Sequence, residues 1–282
     1  MTELFLTLAP STARAYRQDL DDFGRWFEQT NGTRLEPGLV TGTDLREYLH
    51  HLLAVRGLKP ATANRRLSAI RAWLRWYREQ GAVESLPRFP RRASEPQRAP
   101  RALGKVEAAR LERAVEREGN PRDAALVALM LHAGLRVGEV VRLRPTDVEI
   151  TERKGKVVVR AGKGDKYREV PLGPEVRRPL KEYLRVRPHG EWLFPGRNGG
   201  HLTPRAAETV VKKYAYLARL DPEEVTPHVL RHTFATRLLR GGADIVVVAH
   251  LLGHARLDTT ARYTRPAWED LVRAVEPADA NP

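Results

Sequence analysis

Cysteine is absent from all 282 residues of the chain. Disulfides, thiolate nucleophiles and cysteine-based zinc modules are therefore excluded. Long apolar runs are missing too, and no stretch could span a bilayer. The first residues, Met1-Thr2-Glu3-Leu4-Phe5, have no basic segment ahead of an apolar one, so no secretory signal is read. Negative charge is in short supply: 35 Asp and Glu stand against 49 Lys and Arg, a formal +14 at pH 7. Such an excess calls for a polyanionic partner, and without a membrane segment that partner is nucleic acid. A cytoplasmic, nucleoid-associated protein is expected.

The first 86 residues read as helical. Ser11-Thr12 can cap a helix in which Tyr16, Leu20, Phe23, Trp26 and Phe27 recur at helical spacing. Thr43-Asp44 starts a second helix carrying Leu45, Tyr48, Leu49 and Leu52, ending near Gly57. Lys59-Pro60-Ala61-Thr62 opens a third, whose apolar stripe is Ile70, Trp73, Leu74 and Tyr77. Its other face carries Arg65, Arg66, Arg71, Arg75 and Arg78. A charged face is usually only solvated, but charges of nearly one sign point to phosphate contact.

Residues 87–100 hold four prolines and no hydrophobic period, which makes them a semi-extended linker. Arg91 and Arg92 within it could follow a DNA backbone. Residues 101–282 form the second domain. Helices are read over Val106–Arg117 and Asp123–His132, and another, after Gly134-Leu135-Arg136, takes in Val140–Leu143. Lys156–Arg160 and Tyr167–Leu172 read as two strands joined by a hairpin turn at Gly162-Lys163-Gly164-Asp165. Helices resume from Thr203. The fold class expected is mainly α with a small antiparallel β-sheet, in two domains.

Five short segments carry the chemistry. Thr226-Pro227 starts a helix whose first turn holds His228 and Arg231, three apart and on one face. A helix N-terminus is receptive to phosphate, although a capped helix with a surface arginine would look the same. His228 and His232, like His250 and His254, are four apart, as in some zinc sites. Against metal stand the missing glutamate, the Arg231 cation beside the first pair, and Gly253, which ends a helix before His254. Downstream, Asp258 can cap a short helix carrying Tyr263. A lone tyrosine is normally a core residue, and a free phenol is ionised about one part in a thousand at pH 7. It becomes a nucleophile only where cations converge on it. The candidates upstream are Arg136, which follows a glycine break and has Glu139 three residues on to orient it, and Lys163 at the hairpin tip. A tip lysine is weak evidence on its own, and the Gly-Lys-Gly turn lacks P-loop spacing.

Taken in order, these segments resemble the tyrosine recombinase (phage integrase) family, particularly its Xer-like and transposon-integrase members. The matching text is Gly134-Leu135-Arg136-Val137-Gly138-Glu139, then Gly162-Lys163-Gly164-Asp165-Lys166, then His228-Val229-Leu230-Arg231-His232-Thr233-Phe234-Ala235-Thr236. Leu251-Leu252-Gly253-His254 and Tyr263-Thr264 complete it. Leu58-Lys59-Pro60-Ala61-Thr62 likens the first domain to the family's SAM-like helical core-binding domain, so the resemblance covers nearly the whole chain.

The resemblance implies a site-specific recombinase that breaks and rejoins DNA without metal, ATP or other cofactor. Tyr263 would be the nucleophile, Arg136 and Arg231 would clamp the scissile phosphate, and Lys163 would protonate the departing 5′ oxygen, with Lys166 as a possible substitute. His228 would assist proton transfer, His254 would bond the phosphate, and Glu139 would support Arg136. The family's two domains close as a clamp on duplex DNA, with the linker crossing its backbone. Four protomers, identical or from a paralogue pair, would assemble on synapsed sites. A C-terminal stripe of Trp268, Leu271, Val272 and Val275 would then dock on a neighbour rather than on its own domain. Chromosome partition, phage integration and transposition all fit this chemistry. Two other classes stand as alternatives: a DNA-binding architectural protein without catalysis, against which the intact signature residues argue, and a type IB topoisomerase, which would relax site-free plasmid.

Overall fold

A computed structural model describes residues 8, 10–94, 101–160, 167–197 and 199–253. The chain divides into two compact units, Met1–Gln97 and Arg98–Pro282. It is mainly helical with one small antiparallel sheet, the class expected from its patterning.

In the N-terminal unit, α1 (Pro10–Asn31), α2 (Gly42–His50, running into a π turn over His51–Val55) and α3 (Pro60–Glu79) surround one core. Phe23, Phe27, Tyr48, Leu52, Ile70 and Trp73 are buried there. Each such side chain contributes about 1.5–3 kcal/mol of apolar burial, so the stripes read from the sequence are the faces that hold the unit together. The start of α2 is a correction. The cap is Thr41, not Thr43: its hydroxyl accepts from the Asp44 N–H, and the Asp44 carboxylate accepts from the Thr41 N–H at 2.7 Å. A capping box needs an acid three residues beyond the cap, and only Thr41 has one. Residues 86–94 form neither helix nor strand. Phe89 packs on this core, and Asn64 of α3 exchanges two hydrogen bonds with the Ala93 backbone.

The C-terminal unit is built round α5 (Pro121–Leu131), in which every residue from Ala125 to Leu131 is buried. Around it lie α4 (Lys105–Glu118), α6 (Val137–Val140), α7 (Pro174–Val186), α8 (Pro204–Leu217) and α9 (Pro227–Arg240), while α10 (Ile245–Leu252) packs on α9. The sheet has the order β1 (Val148–Ile150), β2 (Gly155–Arg160), β3 (Tyr167–Pro171). Its register pairs Val157 with Val170 and Arg160 with Tyr167.

Three features here differ from the sequence reading. Strand β1 adds a third member to the sheet. Helix α7 stands where no helix was expected, burying Val176, Leu180 and Tyr183 despite Pro179 in its interior. Helix α6 stops at Val140, whereas the reading carried a helix on to Leu143. The chain turns there so that the Leu143 carbonyl can accept from the Leu193 N–H at 2.7 Å.

Helix α9 is fixed in depth by Thr233, which is fully buried. Its hydroxyl donates to the Val229 carbonyl and accepts from the Leu103 N–H at 2.9 Å. One turn of α9 is thereby pinned to the segment that enters the unit.

Candidate active site

Thr226 caps α9, accepting from the Val229 N–H, and Pro227 fills the first helical position. His228 in that first turn is exposed, while Arg231 one turn on is only 3% exposed. A buried guanidinium needs partners for its N–H groups. Arg231 donates to the Gly134 carbonyl at 2.6 Å and to the Leu252 carbonyl at 2.5 Å. It also lies 3.8 Å from the Glu139 carboxylate. One side chain thus joins the loop before α6, the end of α10 and the start of α9.

Gly134 makes this approach possible. Its φ of +65° is a left-handed conformation that L side chains avoid, and a Cβ placed there would lie 2.3 Å from the Phe234 ring. The loop it forms delivers Arg136 to the N-cap of α6, with Glu139 at the third helical position. Glu139 accepts from the Arg136 backbone N–H at 2.8 Å and from its guanidinium at 2.9 Å. Arg136 keeps 45% of its side chain exposed and reaches the Gly253 carbonyl at 3.4 Å.

The sequence reading missed Arg168. On β3 it alternates onto the same side as buried Val170, and its guanidinium grips Glu139 with two parallel bonds of 2.9 Å. A third bond, from Nε, runs to the Leu251 carbonyl at 2.9 Å. The period-two rule carried the signal, because a charge on the inward face of a strand must find a counter-charge.

Glu139 is therefore the hub of three arginines. Burial alone would raise its carboxyl. The hydrogen bonds and charge of Arg168 outweigh burial, together with the N–H and guanidinium of Arg136, and hold the group below the ordinary carboxylate range. A lowered folded value means the stabilisation is complete above the ordinary value of 4.5 and fades as pH falls through the folded one. On acidification from about pH 7 to about pH 3, wild type should lose more urea resistance than Glu139→Gln, which has nothing to protonate. Equal losses in the two proteins would contradict this role.

Arg231 and Arg136 thus meet round one carboxylate, and their bonds to the Leu252 and Gly253 carbonyls anchor the backbone just before His254. Lys163, Lys166, His254 and Tyr263 lie outside the described residues, as does the stripe from Trp268 to Val275. Of the expected histidines, the described one, His228, stands at the helix N-terminus beside this cluster in sequence.

In the N-terminal unit the arginines of α3 divide by partner. Arg66 is turned inward, paired with Asp22 and Asp19 and bonded to the Tyr48 hydroxyl, with 13% of its side chain exposed. Arg65 is half exposed and paired with Asp19. The Arg71 guanidinium lies 4.3 Å from the centre of the Phe89 ring, a cation–π contact. Arg75, Arg91 and Arg92 are exposed. Much of the basic face read from α3 thus serves the fold.

Comparison with known proteins places nearly the whole chain in one family. The sequence profile of the phage integrase family matches residues 101–269, and that of the phage integrase N-terminal SAM-like domain matches residues 4–81. The chain is 36% identical to the tyrosine recombinase XerD of Caulobacter vibrioides, over 95% of this chain and 90% of that one. It is 34% identical to the tyrosine recombinase XerC of Myxococcus xanthus, over 96% of this chain and 92% of that one. Among solved structures, XerA recombinase aligns over 96% of this chain and 93% of its own with a TM-score of 0.57 and 28% identity. XerH recombinase bound to its difH substrate after cleavage aligns over 93% of this chain and 78% of its own with a TM-score of 0.75 and 24% identity, a likeness of fold. The chain belongs to the phage integrase family of tyrosine recombinases.

Proposed function

We propose that this protein recombines DNA at specific sites, breaking and rejoining strands through a phosphotyrosyl bond made by Tyr263. The observation that carries the reading is the meeting of Arg136 and Arg231, far apart in sequence, round Glu139 and against the backbone that leads into His254.

The step balances without an energy source. The Tyr263 oxygen attacks the scissile phosphorus as its proton passes to His228. The bond to the 5′ oxygen breaks, and that oxygen takes a proton from Lys163, with Lys166 as the alternative donor. The 3′ phosphate is left on Tyr263 as a diester, so a free 5′ hydroxyl can attack it and return the tyrosine. Arg136 and Arg231 hold the non-bridging oxygens where charge builds, and His254 adds a hydrogen bond. The guanidiniums supply the positive charge that a metal ion supplies in other phosphoryl-transfer sites.

Both units contribute to duplex binding in this reading. Arg75, Arg91 and Arg92 are exposed and contact backbone phosphates, while Arg65 and Arg71 make weaker contributions. The assembly is a tetramer on two synapsed sites, with the segment bearing Trp268 and Leu271 docking on a neighbour. No described helix is long and apolar enough to cross a membrane, and the proposed location is the nucleoid.

A duplex selected by the protein from random sequence and then nicked near its cleavage point tests the reading. Wild type should be trapped as an SDS-resistant protein–DNA species in EDTA, and the trapped synapse should sediment with four protomers. Tyr263→Phe should bind the duplex with similar affinity and form no adduct. An adduct that persists in that variant assigns the nucleophile elsewhere, and relaxation of site-free plasmid would favour a topoisomerase.

A further inference from the structure

We propose that Arg168 is a positioning residue for strand cleavage: it neutralises Glu139 so that Arg136 and Arg231 keep their positive charge for the scissile phosphate. The inference rests on the recombinase reading above and assigns to that site a residue the reading does not use.

The charge balance of the cluster motivates it. Glu139 touches three guanidiniums, those of Arg136, Arg168 and Arg231. Three positive charges against one negative leave two uncompensated. A phosphodiester attacked by a phenolate carries two negative charges in its five-coordinate transition state, which this surplus matches. Without Arg168 the surplus falls to one. The two carboxylate oxygens would also lose the parallel bonds that now occupy them at 2.9 Å. They would then draw Arg136 and Arg231 into closer pairs, turning both away from a ligand.

The geometry suits this role better than direct contact with DNA. The Arg168 side chain is 10% exposed, whereas Arg136 keeps 45%. The Arg168 guanidinium donates two bonds to Glu139 and one to the Leu251 carbonyl at the end of α10. Gly253 reinforces the enclosure, because a Cβ there would lie 2.8 Å from the Arg168 guanidinium, and its φ is +63°. The strand, the short helix and the helix end are locked round the ion pair, and of the three arginines on Glu139 it is Arg136 whose side chain stays nearly half exposed.

A merely structural role and a charge-balancing role predict different double mutants. Adduct formation on the nicked duplex would be followed in single turnover at saturating protein, with DNA affinity and urea unfolding measured on the same samples. Arg168→Met should slow adduct formation by about a hundredfold, the scale of losing one transition-state donor, with little change in affinity. Arg168→Lys, which keeps the charge but loses the fork, should stay within about tenfold of wild type. Adding Glu139→Gln to Arg168→Met restores the charge surplus and should recover at least about tenfold of the lost rate. The proposal is overturned if Arg168→Met cleaves at the wild-type rate, if Arg168→Lys is as slow as Arg168→Met, or if Glu139→Gln deepens the loss. Should Arg168→Met fail to fold, the lysine variant and the double mutant still decide. A wild-type protein that forms no adduct would remove the recombinase reading and this proposal with it, a result distinct from the others.

Discussion

Replacing Arg231 with alanine is expected to slow formation of the protein–DNA bond by at least about a thousandfold and to destabilise the C-terminal unit as well. Both effects follow from its position. As a phosphate ligand it supplies charge and hydrogen bonds where charge builds, and losing one such donor alone slows reactions by about 10²–10³. As a buried group it satisfies the Gly134 and Leu252 carbonyls. Truncation leaves each without that donor, at about 1–3 kcal/mol apiece. Arg231→Lys separates the contributions: a compact ammonium keeps the charge but cannot span two carbonyls and a phosphate. It should recover part of the urea midpoint while cleavage stays near the alanine level. Single-turnover trapping and urea melts read the two effects, and an alanine variant cleaving within about tenfold of wild type would remove Arg231 from the chemistry.

The second large effect needs no change to a charged residue. Gly134→Ala is expected to destabilise the C-terminal unit by about 2–5 kcal/mol, combining the left-handed backbone with overpacking against the Phe234 ring. The damage also reaches the site, because the Gly134 carbonyl accepts from Arg231 and the next turn carries Arg136. Trimming the ring should relieve only the packing part. Gly134→Ala combined with Phe234→Ala should therefore be less destabilised than the sum of the single changes, as a urea-melt cycle would show. Strict additivity would mean that the ring is not the obstacle.

The order of effects explains what could be read in advance. Ile70, Trp73 and Leu74 announce α3 through their spacing, and they are the residues that it buries. Such patterns are local, so one chain displays them. Helix α7 kept its period, with Val176, Leu180 and Tyr183 all buried, but Pro174 and Pro179 hid it. Pro174 sits at the first helical turn, where a missing N–H is harmless, and Pro179 gives up a single hydrogen bond. Strand β1 is three residues long, too short for alternation to register. The start of α2 lies ahead of Thr43 because it is Thr41 that has an acid three residues on.

The site divides along the same line. Arg136 and Arg231 could be named from their motifs, and Glu139 from its place three residues after Arg136. Their convergence could not, because Arg231 meets the Gly134 carbonyl 97 residues away. Arg168 carries no motif of its own, and only strand alternation, which puts it on the side of Val170, marks it. Arg66, expected at phosphate from the charge of its helix face, is paired with buried Asp19 and half-buried Asp22 of α1. In a chain with this many arginines the abundance of charge is uninformative, and its pairing with buried acids decides which residues face outward.

A crystal structure of the wild-type protein trapped on its nicked duplex would show which oxygen holds the DNA. The scissile phosphorus should be bonded to the Tyr263 oxygen, with the Arg136 and Arg231 guanidiniums within hydrogen-bond distance of its non-bridging oxygens. A phosphorus bonded to any other side chain, or guanidiniums turned away from it, would rule out Tyr263 cleavage assisted by the two arginines.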